Sequence, residues 1–461
     1  MRQKSGEVGR VGATEWARLR IARVKAGPLD GIDRPFKDHL GRTGESIMIR
    51  KPTMIASVRR FDCLVALLVV GAAISSAPCV SADDAQRVVV LGEVQGAYES
   101  AVQTLLAVGL IDDRLKWSGG NAILIQTGDL IDDGIRVRDV MDLFMRLQEE
   151  AEAAGGQVIV LLGNHEALNI LGMRRSVNYE TYQTFADEES AARQAEAYET
   201  HVRWLNDRAK ALKSDPAKFG KQDRADWFAV HPPGYVEYVA AMGPNGRYGS
   251  WLRTLPAVVA IDGRVYIHGG ISPALKGQDV EAINRKVAEE IELFSGYYSV
   301  MLEQGLISRL ATAEDMSRVI GNEINFLNAQ SPRKLDKKRL ELVTGLQDFA
   351  HHWVKWYLVR QDGPLWFKGA TEWDEAEHGV EMAEILDAFG ASAMITGQST
   401  GGPPKIEARF GGRVLLTSVG MSDDPWAKRQ PACLEITEDD FNVVSPRGRQ
   451  LLLLTSVGVP D

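Results

Sequence analysis

Val158-Ile159-Val160-Leu161-Leu162-Gly163-Asn164-His165-Glu166 is the stretch on which the reading of this chain turns. An apolar run passes directly into a glycine, then an amide, an imidazole and a carboxylate. A buried parallel strand that ends in polar groups sets them at the carboxyl edge of a sheet, where open α/β folds bind ligands. Asn and His both ligate metals, and His also moves protons near neutral pH. Taken alone, the same residues could still be a polar loop that caps the next helix. Their neighbours decide.

Upstream, the pattern repeats twice. Val88–Leu91 reads as a buried strand ending in Gly92-Glu93-Val94-Gln95-Gly96, and a helix follows with Ala101, Leu105, Leu106 and Val108 on its apolar side. Ala122–Ile125 ends in Thr127-Gly128-Asp129-Leu130-Ile131-Asp132-Asp133-Gly134. The helix over about 136–154 then carries Val137, Val140, Met141, Phe144 and Leu147 at helical spacing. Three strand–loop–helix units in succession predict parallel strands with crossover helices, hence an α/β fold.

Downstream, about 171–255 is charged, aromatic and helical in character, and reads as an insertion beside the sheet edge. Strands return at Ala257–Ile261 and Arg264–His268 around Asp262-Gly263, a hairpin signal. The second of them ends in His268-Gly269-Gly270. Another helical block covers about 277–360, in which Trp353, Trp356 and Tyr357 read as core. The final strands, Ala393–Thr396, Ile406–Phe410, Arg413–Thr417 and Cys433–Ile436, have glycine turns between them and predict a second, mostly antiparallel sheet. Leu451–Leu454 reads as a last edge strand in a tail over 441–461.

The chain has 461 residues, 45% hydrophobic and 25% charged, which is a globular composition. A net charge of −9 argues against a nucleic-acid partner, which requires a basic face. Residues 1–53, rich in Arg, Lys and Gly, show no sustained apolar period; they read as a disordered extension, or as lying upstream of a true start at Met48 or Met54. Arg59-Arg60, the apolar run from Cys63 to Ile74, and Val80-Ser81-Ala82 have the order of a secretory signal peptide over 54–82. The run falls short of the roughly 20 residues a membrane anchor needs, and Pro78 fits a lipid-modified Cys79 poorly. Cleavage after Ala82 predicts a periplasmic or secreted protein with no membrane span, whose folded domain would cover 83–440. Cys433 then has no partner, so neither a disulfide nor a cysteine zinc site is expected.

Candidate chemistry lies on five loops that follow strands: Glu93 and Gln95; Asp129 and Asp132; Asn164, His165 and Glu166; His268; and Gln398. This ordered series resembles the calcineurin-like metallophosphoesterases, and particularly the Shewanella-like branch of the phosphoprotein phosphatase family. That family pattern is G-D-x-H-G, G-D-x-x-D-R-G, G-N-H-E, a His-x-Gly loop and a G-H-T loop. Gly363–Gly369 and Ala408–Leu416 also look like that branch. The resemblance covers roughly Arg87 to Asp424. It implies a β-sandwich flanked by α-helices, with hydrolysis of phosphomonoesters by two divalent ions (Mn, Fe or Zn). It further implies that Asp129 bridges the ions, that Asn164 and His268 serve the second ion, and that Glu93 serves the first. His165 stands where the general acid protonates the leaving oxygen, and Asp132 where its partner orients it.

The departures matter as much. Glu93 replaces an Asp, Gln95 and Gln398 replace His, Asp133 replaces a phosphate-binding Arg, and Ser418 stands where that branch would have Asp. A glutamine carbonyl is a weak neutral donor, so affinity for Mn, Fe or Zn should fall, and Mg or Ca, which favour oxygen ligands, become candidates. Asp133 should repel a phosphate where an Arg would clamp it. Two readings stay open: an exported metal-dependent phosphatase acting on phosphoproteins or small phosphoesters, or an impaired pseudophosphatase that binds phosphate or a partner. Lys368, Arg247 and Arg253 are candidate substitutes for the missing Arg. His201, His231, His351 and His352 read as structural, and no residue names a protein partner.

Overall fold

Runs of valine, isoleucine and leucine give the strands, and their burial on both sides follows from where they sit. In the computed structural model, residues 86–330, 336–398, 405–424, 429–438 and 440–454 are described; the expected extension and signal peptide lie outside them. β1 (Val88–Leu91), β2 (Ile123–Gln126) and β3 (Gln157–Val160) pair in parallel, with Val90 opposite Ile125 and Ile125 opposite Ile159. α1 (Tyr98–Ala107) and α2 (Val137–Ala153) make the crossovers. In α2 the residues Val137, Val140, Met141, Phe144 and Leu147 are fully buried, the face their spacing predicted. A buried Phe or Leu of this kind contributes about 1.5–3 kcal/mol.

α3 (Asn164–Ile170) begins at the opening stretch. The first insertion then forms α4 (Tyr179–Gln183), α5 (Ser190–Ala211), α6 (Lys221–Val230), α7 (Tyr235–Met242) and α8 (Arg247–Leu252). β4 (Val258–Ile261) and β5 (Arg264–Ile267) form the expected hairpin, with Asp262 (φ 50°) and Gly263 (φ 71°) both left-handed at its two-residue turn. α9 (Val280–Glu303), α10 (Ala313–Asn328) and α11 (Lys337–His352) form the second insertion. Asp279, Thr312 and Asp336 cap them by accepting backbone N–H bonds, which is why each helix starts where it does. Trp353, Trp356 and Tyr357 are buried, as expected. Buried Glu323 of α10 joins the two insertions, accepting from Arg208 of α5 and from Arg339 of α11.

After α12 (Gly369–Glu372) and α13 (Glu375–Ala388) come β6 (Ala393–Thr396), β7 (Glu407–Arg409), β8 (Val414–Leu416), β9 (Cys433–Thr437), β10 (Asp440–Ser445) and β11 (Gly448–Leu454). The strand orders are β11-β10-β9-β1-β2-β3 and β4-β5-β6-β8-β7, and both sheets feed one hydrophobic core. Helices flank the sheets, as a metallophosphoesterase fold requires.

Three expectations need correction. The Cys433 strand does not join the second sheet: it lies antiparallel beside β1, with Val90 opposite Leu434, on the side that β2 leaves open. The second sheet is mixed, since β5–β6 and β6–β8 are parallel while its outer pairs are antiparallel. The domain also does not stop at 440, because β10 and β11 carry the first sheet on to Leu454, with β11 its edge strand. Among the described residues no helix is long and apolar enough to cross a membrane.

Candidate active site

The carboxyl ends of β1, β2, β3, β5 and β6 deliver the candidate residues, so both sheets contribute to one site. The loops are pressed together at Gly163, where a Cβ would lie 2.2 Å from Asp129 Oδ1; any side chain there would displace the carboxylate. Asp129 (φ 57°), Asp132 (φ 69°) and Asp133 (φ 54°) are all left-handed, a conformation Asp tolerates better than most residues but which still needs outside support. Glu166 supplies that support. Its buried carboxylate accepts N–H bonds from Asp129 (2.8 Å), Leu130 (2.8 Å), Ile131 (3.3 Å) and Gly163 (2.9 Å), tying the loops after β2 and β3 into one body.

Around that body, one ligand atom each from Glu93, Asp129 and His268 lie within 4.8 Å of one another, and all three residues are buried. His268 donates from Nδ1 to the Thr127 carbonyl at 2.9 Å, which leaves Nε2 as the free lone pair. Nε2 lies 3.3 Å from Asp129 Oδ2 and 3.3 Å from the Asn164 amide. Burial holds the His268 ring below its usual pKa, so it stays a neutral ligand. Burial pushes the Asp129 carboxyl up to about 7, with the Glu93 and Asp132 charges adding to the rise against the opposing pull of His165. Gln398 Oε1 is also buried and has no hydrogen-bond partner. Crowded buried carboxylates, an unprotonated imidazole nitrogen and an orphaned amide oxygen together make a donor set that a divalent cation fits. Ser418 donates to Glu93 Oε2 at 2.9 Å and orients it.

Beside this cluster stands the candidate acid pair. His165 Nδ1 lies 2.9 Å from Asp132 Oδ2, and its Nε2 is 3.8 Å from Asp129 Oδ2. Burial disfavours the imidazolium, but the Asp132 hydrogen bond and the Asp129 charge outweigh it and hold the ring up at about 10. His165 is the more open partner, its side chain 16% exposed against 2% for Asp132. Asp132 is fixed in turn by Asn169, whose Nδ2 lies 3.1 Å from each of its carboxylate oxygens.

The remaining candidates divide. Gln95 sits at the same turn with a left-handed backbone (φ 48°), its N–H on the Asp129 carbonyl and its own carbonyl on Gly134 N–H. Asp133 is an exposed residue next to Asp132, and desolvation of its carboxyl raises its pKa above the usual carboxylate range. Arg247 is paired with Asp142 at 2.8 Å, and Arg253 donates to the Met242 and Gly249 carbonyls, so neither guanidinium replaces the missing clamp. Lys368 belongs to the loop whose Pro364 carbonyl accepts from Gly269, next to His268, but its ammonium is 45% exposed and faces Glu372 at 4.0 Å. His231 stacks on Trp227 and His352 pairs with Asp348, both structural as expected. Two residues escaped assignment from sequence. Glu166 was in the motif but carried no role, and Asn169 had one signal, its position four residues after His165 on the same helix face.

Comparison with known proteins agrees with the geometry. The profile of the calcineurin-like phosphoesterase family matches residues 86–304. The chain is similar to Shewanella-like protein phosphatase 2 of Arabidopsis thaliana, 30% identical over 215 residues, which is 46% of this chain and 53% of that one. It is similar to Shewanella-like protein phosphatase 1 of Plasmodium berghei, 24% identical over 339 residues, 73% of this chain and 67% of the other. The chain thus spans about half the length of the Arabidopsis relative (53%). A solved cold-active protein tyrosine phosphatase overlays with a TM-score of 0.49 at 18% identity, covering 81% of this chain and 80% of that one. A second, from a psychrophilic Shewanella species, overlays at 0.47 with 19% identity and 80% of each chain. Residues 86–304 thus match a calcineurin-like phosphoesterase domain, and the curated relatives to which the chain is similar are Shewanella-like protein phosphatases.

Proposed function

We propose that the protein is a metal-dependent phosphatase that hydrolyses phosphomonoesters, of proteins or small molecules. The observation that carries this reading is the convergence of Glu93, Asp129 and His268 within 4.8 Å, with the His165–Asp132 pair against the same Asp129. Asp129, Asn164 and His268 would hold one cation, and Glu93 with Gln398 or Gln95 would serve the other side of Asp129. Bound divalent ions supply charge neutralisation on the phosphoryl oxygens and a more acidic water. Asp132 accepts from His165 Nδ1, which leaves Nε2 to carry a proton toward the leaving oxygen. As a water oxygen bonds to phosphorus, the P–O ester bond breaks and that proton passes to the departing alkoxide or phenoxide. Glu166 and Gly163 keep the ligand loops in register throughout. The oxygen-rich ligand set favours Mg, Ca or Mn over Zn.

The test is to strip the protein of metal, reload it with Mn, Fe, Zn, Mg or Ca, and measure turnover of an aryl phosphate. Turnover with at least one ion, lost in His165→Ala, supports the reading. No turnover with any ion above that control overturns it and leaves the pseudophosphatase that Gln95, Gln398 and Asp133 suggest. Export is part of the same proposal and rests on residues 54–82 alone. Amino-terminal sequencing of the protein recovered outside the cytoplasm should begin at Asp83.

A further inference from the structure

We propose that Tyr238 and Asn169 are positioning residues for the acid pair, forming a buried hydrogen-bond relay through which the first helical insertion sets the orientation of Asp132 and so of the His165 ring. The relay is continuous. Tyr238 of α7 donates its hydroxyl to Asn169 Oδ1 at 2.7 Å, and Asn169 Nδ2 lies 3.1 Å from both Asp132 oxygens. The same Nδ2 donates to the His165 carbonyl at 3.0 Å, and Asp132 Oδ2 meets His165 Nδ1 at 2.9 Å.

Chemistry fixes the direction of each link. Asp132 and the His165 carbonyl are acceptors, so Asn169 must face them with its amide N–H groups. The reverse orientation would set an amide oxygen against a carboxylate. That choice turns Asn169 Oδ1 toward Tyr238, where only a donor will serve. Burial pushes the Tyr238 phenol well above its ordinary pKa, with the Asp132 charge adding to the rise, so the hydroxyl stays a donor. Every hydrogen-bonding atom of the Asn169 amide is used, three of its contacts being to the acid pair or the backbone that carries it.

The insertion aims the hydroxyl. The Tyr238 ring is fully buried, edge-on to Tyr182 (5.2 Å) and to Phe185 (5.1 Å), all three from the same insertion. The hydroxyl is therefore the polar end of an aromatic nest, directed out of the insertion at the helix that carries His165. Asp132 needs such support because its own backbone is left-handed (φ 69°) and, among the hydrogen bonds described, its carboxylate is met only by His165 and Asn169, neither from its own loop. A carboxylate that swings loses the imidazole with it.

The kinetic arm of the test rests on the phosphatase reading above; the spectroscopic arm does not. Tyr238→Phe removes only the hydroxyl and keeps the nest, and Asn169→Ala removes the amide. Both are compared with the parent on phenyl phosphate, a poor leaving group that depends on protonation, and p-nitrophenyl phosphate, which depends on it little. Relay action predicts a fall in kcat on phenyl phosphate of about tenfold for Tyr238→Phe and about 10²-fold for Asn169→Ala, with p-nitrophenyl phosphate and KM changed less than about twofold. Equal losses on both esters, or none, overturn the proposal. In parallel, proton NMR follows the His165 Nδ1–H, assigned by its absence in His165→Ala. Faster exchange of that proton in Tyr238→Phe supports the relay, and an unchanged resonance overturns it. If the parent shows no turnover, the phosphatase reading fails while this second measurement still decides the relay. If Asn169→Ala does not fold, Tyr238→Phe carries both arms.

Discussion

The two halves of the site, the acid side and the ligand side, are satisfied in opposite ways. On the acid side every buried polar group has partners: Asp132 faces His165 and Asn169, and the Glu166 carboxylate takes backbone N–H bonds from both adjoining loops. On the ligand side, the His268 Nε2 lone pair meets only the Asn164 amide among the hydrogen bonds described, Asp129 is pushed toward neutrality by burial, and Gln398 Oε1 is orphaned. Hydrogen bonds within the chain complete the first half, whereas the second half is short of positive charge. An unpaired buried polar group costs on the order of 1–3 kcal/mol, so the ligand side is destabilised unless a cation is bound. Two positions that depart from the family, Glu93 and Gln398, lie on this second half, whereas Asp133 sits beside the acid pair. The acid pair itself has none.

The contrast can be broken most severely at Asp129, which belongs to both halves. Asp129→Asn should lower kcat/KM by roughly 10³-fold or more and reduce bound metal, read by elemental analysis beside turnover. Next, His165→Ala should cost about 10²–10⁴-fold in kcat with metal content unchanged, which separates the acid from the ligands. Returning the site to the family pattern, by Gln95→His, Gln398→His and Asp133→Arg together, should tighten Zn and Mn binding over Mg and lower KM by about tenfold, as a charge-assisted clamp supplies. No change in ion preference would mean that the oxygen ligands are not at the metal.

The smallest effect lies away from both halves and uses a buried carboxylate that lacks the Glu166 arrangement. Glu290 accepts a backbone N–H from Leu358 at 3.2 Å, and its Oε1 has no hydrogen-bond partner, with the Lys286 ammonium at 3.7 Å. Burial raises its pKa from 4.5 to about 7, against the opposing backbone bonds. The folded state therefore holds this proton more tightly than the unfolded chain. Stability should be full below the unfolded value of 4.5, fall as pH rises, and level off above about 7. Glu290→Gln should flatten that part of the unfolding curve, worth about 1–3 kcal/mol, read by denaturant melts across the window.

Much of the site was legible because its residues sit where strands end. Glu93, Asp129, Asn164 and His268 each follow an apolar run, and the structure brings these strand ends together. His165 and Asp132 were readable for the same reason. What sequence left open was anything that depended on a distant partner. Arg247 and Arg253 looked free to bind phosphate, but Asp142 and the carbonyls at the end of α7 and in α8 hold them. The Cys433 strand carried no sign of its sheet, since a short apolar run is compatible with either neighbour.

By itself the sequence determined the kinds of elements, their order, and the chemistry waiting at each strand end. Periodicity, caps and turns are local preferences, set by residues a few positions apart. Only the tertiary structure decided that β9 to β11 extend the first sheet, and that Glu166 locks two loops. It alone brought a tyrosine 69 residues from Asn169 within hydrogen-bonding distance of it. These are matters of pairing and burial between distant parts of the chain, which follow from how two sheets and their insertions close on one core.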